Sequence, residues 1–188
     1  MLNVSQFLRR FSKDDRGSIA VETVVIIPVM FWAYLTMFSI FDAYRQHAVQ
    51  QKVAYAIGDI ISRETTPIDD AYLNGMIELM RFMSTIKDPG DISLRVTSVR
   101  WNGDNNVYER DWSQAKGWVS AMTDAQVAGL QPSLPVMPHN ERVMVVETFV
   151  KFEPVFDVGL QDRTIQNFVF TRPRYAPRVL WQAPTEGA

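Results

Sequence analysis

The chain has 188 residues, 47% of them hydrophobic and 12% aromatic, with 19 Lys plus Arg against 21 Asp plus Glu and no cysteine. That composition supplies a core for one domain and excludes a disordered tail, and the near-neutral charge excludes a general nucleic-acid binder. The missing thiols exclude disulfides, thiolate metal sites and cysteine nucleophiles.

Residues 1–17 are basic: Arg9, Arg10, Lys13 and Arg16 outnumber Asp14 and Asp15. From 18 to 41 the one ionisable residue is Glu22, and Thr23 to Phe41 is a run of 19 residues without charge. As a helix that run spans about 28 Å, close to the ~30 Å hydrocarbon core of a bilayer. It has no polar face, as a core helix of a soluble domain would, so a transmembrane helix is expected. A cleaved secretory signal fits less well, because the apolar run is long and its end, "FSIFDAYRQ", offers no small-x-small site. Arg9 and Arg10 raise a twin-arginine signal, but two acids interrupt the approach to the apolar run. Four bases precede the span and two, Arg45 and Lys52, follow within about 20 residues, which predicts a cytoplasmic N-terminus. The expected organisation is a cytoplasmic basic leader (1–17), a transmembrane helix (18–41) and a periplasmic domain (42–188), single-pass in a bacterial inner membrane and in contact with lipid.

After Phe41 the pattern becomes amphipathic. Phe41, Tyr44, Ala48, Val49, Val53, Ile57, Ile60 and Ile61 recur at three- and four-residue steps, which predicts one helix from about Ser18 to Arg63. Pro28 should kink it or loosen a turn. Thr66-Pro67-Ile68-Asp69 predicts the start of a second helix, with Thr66 as cap, Pro67 in the first turn and Asp69 as the capping-box acid. Tyr72, Leu73, Met76, Ile77, Met80 and Met83 form its apolar face, and it should end near Ser84 to Lys87, before Asp88-Pro89-Gly90.

From Asp91 the period is two. "ISLRVTSVRW" reads as a strand with Ile92, Leu94 and Val96 on one face and a phase slip at Ser98 to Val99, consistent with a bulge. "NGDNN" is a turn and "VYERDW" a second strand. A short helix is expected near Ala121 to Leu130, then a proline-broken loop. "RVMVVETFVKF" is the strongest strand, with Met144, Val146, Val150 and Phe152 facing one way and Glu147 and Lys151 the other. "TIQNFVFTR" is a fourth, and the segment after it should be irregular or edge-forming. The expected fold is α+β: the long helix packs its amphipathic half on an antiparallel sheet of about four strands.

Little in this pattern suggests catalysis, a cofactor or a metal. His47 and His139 are 92 residues apart in sequence and read as solvated positions. "NGDNN" lacks the spacing and the closing acid of a calcium loop. No phosphate loop or nucleophile elbow appears. Asp69 and Asp70 are adjacent on a helix and point apart, so capping explains them better than a carboxylate pair. Trp101, Tyr108, Trp112 and Trp118 surround the first hairpin, as packing or, less simply, as a partner surface.

The run "KDDRGSIAVETVVIIPVM" carries more. Basic residues lead to Gly17, Glu22 follows five residues on, and an apolar helix begins. This resembles the cleavage site of type IV pilin-like precursors, which a prepilin peptidase cuts after the glycine. The wider stretch "DRGSIAVETVVIIPVMFWAYLTMFSIFDAYR", with Pro28 six residues after the glutamate and an aromatic-acidic close at Phe41 and Asp42, resembles the TadE-like family of minor pseudopilins of tight-adherence (Flp-type) pilus systems. Weaker likenesses lie in "VVETFVKFEPVF" and "FTRPRYAPR". The resemblance implies a pilin-like fold, cleavage between Gly17 and Ser18, and a structural, non-catalytic role in pilus assembly and secretion. Its partners would be prepilin peptidase, other pilin-like subunits and the assembly platform. A free amine on Ser18 would then lie one turn from Glu22, and the glutamate of one subunit would neutralise the amine of a neighbour, since each charge is costly alone in lipid. The alternative is an unprocessed, membrane-tethered binding or sensory domain, including a short TadG-like protein.

Overall fold

The computed structural model describes residues 18–84, 86 and 88–183. The basic leader, Gly17 and Lys87 lie outside the described residues. In chain order the elements are α1 (Ser18–Ser62), α2 (Asp70–Ser84), a 3-10 turn (Pro89–Asp91), β1 (Ile92–Asn102), β2 (Val107–Lys116), α3 (Asp124–Ala128), β3 (Arg142–Phe152) and β4 (Arg163–Thr171). The fold is α+β. The four strands form one antiparallel sheet in the order β2-β1-β3-β4.

α1 is a single 45-residue helix with Pro28 inside it, about 68 Å long at the standard rise. Contacts divide the chain into two compact units, and the division falls within this helix. One unit holds the helix up to Asp42 together with Pro154–Gln161; the other holds Ala43–Glu153 and Asp162 onward.

In the first unit, α1 is long and apolar enough to cross a membrane, and 6% of its most apolar window is buried. Val24, Val29, Met30 and Phe31 all point outward. An exposed apolar surface of this extent marks a membrane or protein contact. Two hydroxyls in this half are satisfied by the helix itself: Thr23 Oγ1 donates to the Ile19 carbonyl at 2.7 Å and Thr36 Oγ1 to that of Trp32 at 3.0 Å. These back-bonds reduce the polarity the helix presents to its surroundings.

In the second unit, one buried cluster joins Val53, Ile57 and Ile61 of α1, Leu73 and Met80 of α2, and Ile92, Leu94, Val96, Met144, Val146 and Val150 of the sheet. A smaller cluster joins Ala43 to Phe152 and Ile165. Gly58 faces β4: a Cβ there would lie 3.3 Å from Val169 Cγ1. The glycine that weakens the helix locally thus permits its close approach to the strand. Gln50 and Ser84 are buried and share a hydrogen bond of 2.9 Å between α1 and α2.

The buried stripe of α1 differs from the expected one at its start. Ala43, Gln50, Val53, Ala54, Ile57 and Ile61 are buried, whereas Phe41, Tyr44 and Ala48 are exposed. Both sets recur at helical spacing, and the sheet meets the Ala43 side, where Phe152 and Ile165 pack on it. α2 also starts later than expected. Asp69 is the cap, its Oδ1 accepting from Tyr72 N at 2.8 Å. Pro67 is outside the helix because Ile68 is used otherwise: it forms a parallel bridge with Trp181, its N–H donating to the Leu180 carbonyl at 2.9 Å. The C-terminal segment therefore closes the core with Val179, which is buried, and its carbonyl accepts from Trp112 Nε1 at 2.9 Å. On α2, Leu73 and Met80 are buried, while Met83 falls outside the core.

The bulge is real but lies on the partner strand. β1 pairs with β3 without interruption from Ile92↔Val150 to Arg100↔Arg142. Against β2, Ser98 pairs with Trp112 and Val99 with Arg110, so Asp111 is the extra residue. The apparent slip in β1 has another cause. Both faces of the sheet are buried: Ile92, Leu94 and Val96 serve the helix side, and Val99 and Trp101 serve a second core with Tyr108, Met122, Val127, Leu134, Met137, Val143 and Val145. α3 and the proline-broken loop cover that second face. α3 carries a capping box between Thr123 and Gln126. Tyr108 belongs to the second core while Trp112 packs against the first, four residues apart. In a regular strand they would share a face, and the bulge at Asp111 separates them.

Candidate functional site

The residues singled out for processing and assembly stand at the start of α1. Ser18 is its first residue. Glu22 lies one helical turn further on and is exposed, so the helix holds it about 6 Å along the axis from Ser18. Among the described residues Glu22 makes no salt bridge. It is a carboxylate near the start of an apolar helix. Pro28 sits six residues on, within a continuous helix. Having no N–H, it leaves the Val24 carbonyl without its usual helical partner. Gly17 lies outside the described residues.

The second unit contains ion pairs, and its most buried one was not legible as such. Glu147 is 3% exposed and Arg95 grips it with two bonds, Nε to Oε2 at 2.6 Å and Nη2 to Oε1 at 2.9 Å. Register puts the two residues directly opposite each other on β3 and β1. Arg95 Nη1 also donates to the Ser120 carbonyl at 3.1 Å, and its guanidinium lies 5.3 Å from the Phe149 ring centre. Every polar arm of the pair has a partner, which is the condition for carrying such charges inside a protein. Glu147 does point away from the helix side, as its sequence phase implies, but that face is covered.

A second charged group surrounds the bulge. Asp111 accepts from Arg142 Nε at 2.6 Å and lies 3.9 Å from Arg100 Nε. Arg100 and Arg142 are cross-strand neighbours, so the extra acid offsets a like-charge pair. Glu109 takes bonds from Asn102 Nδ2, at 2.6 Å, and from Arg100. These, first the Asn102 bond and then the Arg100 guanidinium, hold the Glu109 carboxyl below its ordinary range. Asn102 Oδ1 also accepts from the Asp104 and Asn105 amides, so "NGDNN" is a hydrogen-bonded turn. His139 Nδ1 accepts from Gly103 N at 3.0 Å, and His47 is exposed on α1.

Two tyrosines are tied down. Tyr108 Oη donates to the Pro135 carbonyl at 2.6 Å, and burial raises its pKa. Tyr72 is raised further, by burial first and then by its hydrogen bond to Glu64 and that group's charge. Of the four aromatic residues around the first hairpin, Trp101 and Tyr108 fill one core and Trp112 the other. Trp118 remains half exposed, with Lys151 Nζ 4.9 Å from its ring centre. They do not make one surface.

An open cleft of about 590 Å³ lies between the proline-rich loop and the end of β4, lined by Val136, Met137, Val143, Phe170, Pro173 and others. Glu141 and Arg172 pair at its wall. Among the described residues no group of three or more His, Asp or Glu side chains is placed to hold a metal ion. Comparison with protein-family models, with curated proteins and with solved structures returned no match.

Proposed function

We propose that this chain is a membrane-anchored minor pseudopilin-like component of a tight-adherence pilus assembly and secretion system, resembling the TadE-like family and structural rather than catalytic. The observation that carries the reading is the spacing of Gly17, Ser18 and Glu22 at the entrance of an uncharged helix. The continuation of that helix into an α+β unit supports a pilin-like arrangement. In this reading α1 crosses the inner membrane with the leader in the cytoplasm and the sheet in the periplasm. Prepilin peptidase cuts after Gly17, and Glu22 pairs with the amine of a neighbouring subunit's Ser18. That pair would set the axial register of packed helices, because two charges that are costly apart in lipid become neutral together.

Intact mass of the full chain from membranes, with and without a matching peptidase, tests the reading. A mature N-terminus at Ser18 is expected only with the peptidase, and Gly17→Arg should abolish it by placing a bulky cation at the scissile position. Glu22→Ala should still be cut but should fail to assemble. A full-length mass under both conditions would leave only a tethered domain and refute the assignment.

A further inference from the structure

The loop between β3 and β4 is where the sequence patterns say least and the structure adds most. Pro154–Gln161 groups with the apolar half of α1 rather than with the strands it joins. Phe156 meets Phe38 of α1 edge to face, with ring centres 5.8 Å apart and planes at 67°. Phe38 is three residues before the end of the uncharged run, about 4.5 Å along the axis. The loop therefore lies level with the last turn of the apolar segment. Its tip is apolar and open: Val155 is 63% exposed and Phe156 remains 38% exposed despite its contact.

We infer that the β3–β4 loop is a second lipid contact of this chain, with Val155 and Phe156 entering the interfacial layer of the bilayer beside the C-terminal end of the uncharged run of α1. The inference rests on α1 being a membrane span, and it is independent of pilus assembly. Three features on the loop define how it binds. Its charged residues from Glu153 to Asp162 are all acids, Glu153, Asp157 and Asp162, so attraction to anionic headgroups does not drive the contact and apolar burial does. Gly159, three residues after Phe156, has a φ of +95°, a backbone conformation costly for residues with a side chain. The loop backbone forms one internal bond among the described residues, Val158 N to the Phe156 carbonyl at 3.0 Å. Non-helical backbone with unsatisfied groups is not tolerated in hydrocarbon, so the loop stays at the headgroup boundary, where water and headgroups supply partners.

The chain has no cysteine, so single thiols can be placed at will. Val155→Cys, Asn105→Cys at the exposed tip of the β1–β2 hairpin, and Val29→Cys in the middle of the uncharged run would each be labelled with an environment-sensitive fluorophore in the full-length protein in nanodiscs of zwitterionic lipid. The label at 155 should be shielded from aqueous iodide and quenched by lipids spin-labelled at shallow acyl positions, roughly 5–10 Å below the surface. The label at 29 should respond to deep spin labels, and the label at 105 to iodide alone. If 155 behaves like 105 while 29 reads lipid, the loop contact is refuted and the span stands. If 29 also reads water, the span fails and the loop contact falls with it. Shielding of 155 from both iodide and spin-labelled lipid would show a protein cover, such as a second copy, and overturn the lipid contact.

Discussion

The two halves of α1 are the same secondary structure with opposite fates. Between Thr23 and Phe41 the helix turns its valines, isoleucines and aromatics outward; between Ala43 and Ile61 it buries one stripe against α2 and the sheet. Helix formation satisfies the backbone in both halves. What differs is the solvent for the side chains. The first half presents apolar side chains on all sides and is long and apolar enough to cross a membrane. The second buries them on one side only, and the chain itself covers that side. The break in pattern at Asp42 is thus a change in what the side chains present within one helix.

The sharpest way to break this comparison is to attack the part of the second unit that carries charge inside. Glu147→Ala leaves Arg95 beneath a covered sheet face with no carboxylate. It is expected to destabilise the full chain in nanodiscs by about 3 kcal/mol or more. The double change Glu147→Leu with Arg95→Met should recover most of that loss, since no lone charge remains. Equal losses in the single and double variants would show that the site is lost through packing rather than through charge.

A matched pair of truncations tests the two halves directly. Ile57 is fully buried and Ile27 is exposed. Ile57→Ala should cost about 2–5 kcal/mol in denaturant unfolding of the α+β unit. Ile27→Ala should leave that transition where it is. A comparable loss at Ile27 would mean that the apolar half is part of the same cooperative core, and the comparison above would fail.

Gly117 gives a smaller effect at one backbone position. Its φ is +94°, and a Cβ there would collide with Ser93 Oγ and lie 2.7 Å from the Ile92 carbonyl oxygen. Gly117→Ala should cost roughly 1–3 kcal/mol through strain at the end of β2, read as a lower midpoint with an unchanged denaturant slope. An unchanged midpoint would mean that the turn rearranges freely.

The smallest effect concerns pH. Glu109 is held below its ordinary pKa when folded, so its contribution is present above the unfolded carboxylate value, about 4.3, and is lost as pH falls through the folded value. The stability difference between the native chain and Glu109→Gln should therefore be largest near neutrality and shrink below about pH 4. A difference that persisted unchanged into acid would show that the Asn102 and Arg100 contacts do not depend on the charge.

Much of this arrangement was legible from periodicity and local chemistry. The uncharged run, the helical stripe, the four strands and the polar turn at "NGDNN" each depend on residues within a few positions of one another, and local backbone preference and side-chain period act at that range. Gly17, Ser18 and Glu22 also form a local spacing, so a linear reading could single them out. Three features required the folded chain. The stripe of α1 began at Ala43 because Phe152 and Ile165 of the sheet pack on that face, although Phe41 and Tyr44 have an equally good period. Pro67 lost its place in α2 because Trp181, more than a hundred residues later, takes the backbone of Ile68. The covering of the sheet's second face, and with it the buried partnership of Glu147 with Arg95, depends on strand register and on α3 and the loop beyond it. The chain's sequence thus determined which segments are helix or strand and where the uncharged apolar run lies. Only the tertiary structure decided which faces meet, because burial depends on what distant segments bring to a surface, and alternation along one strand cannot encode that.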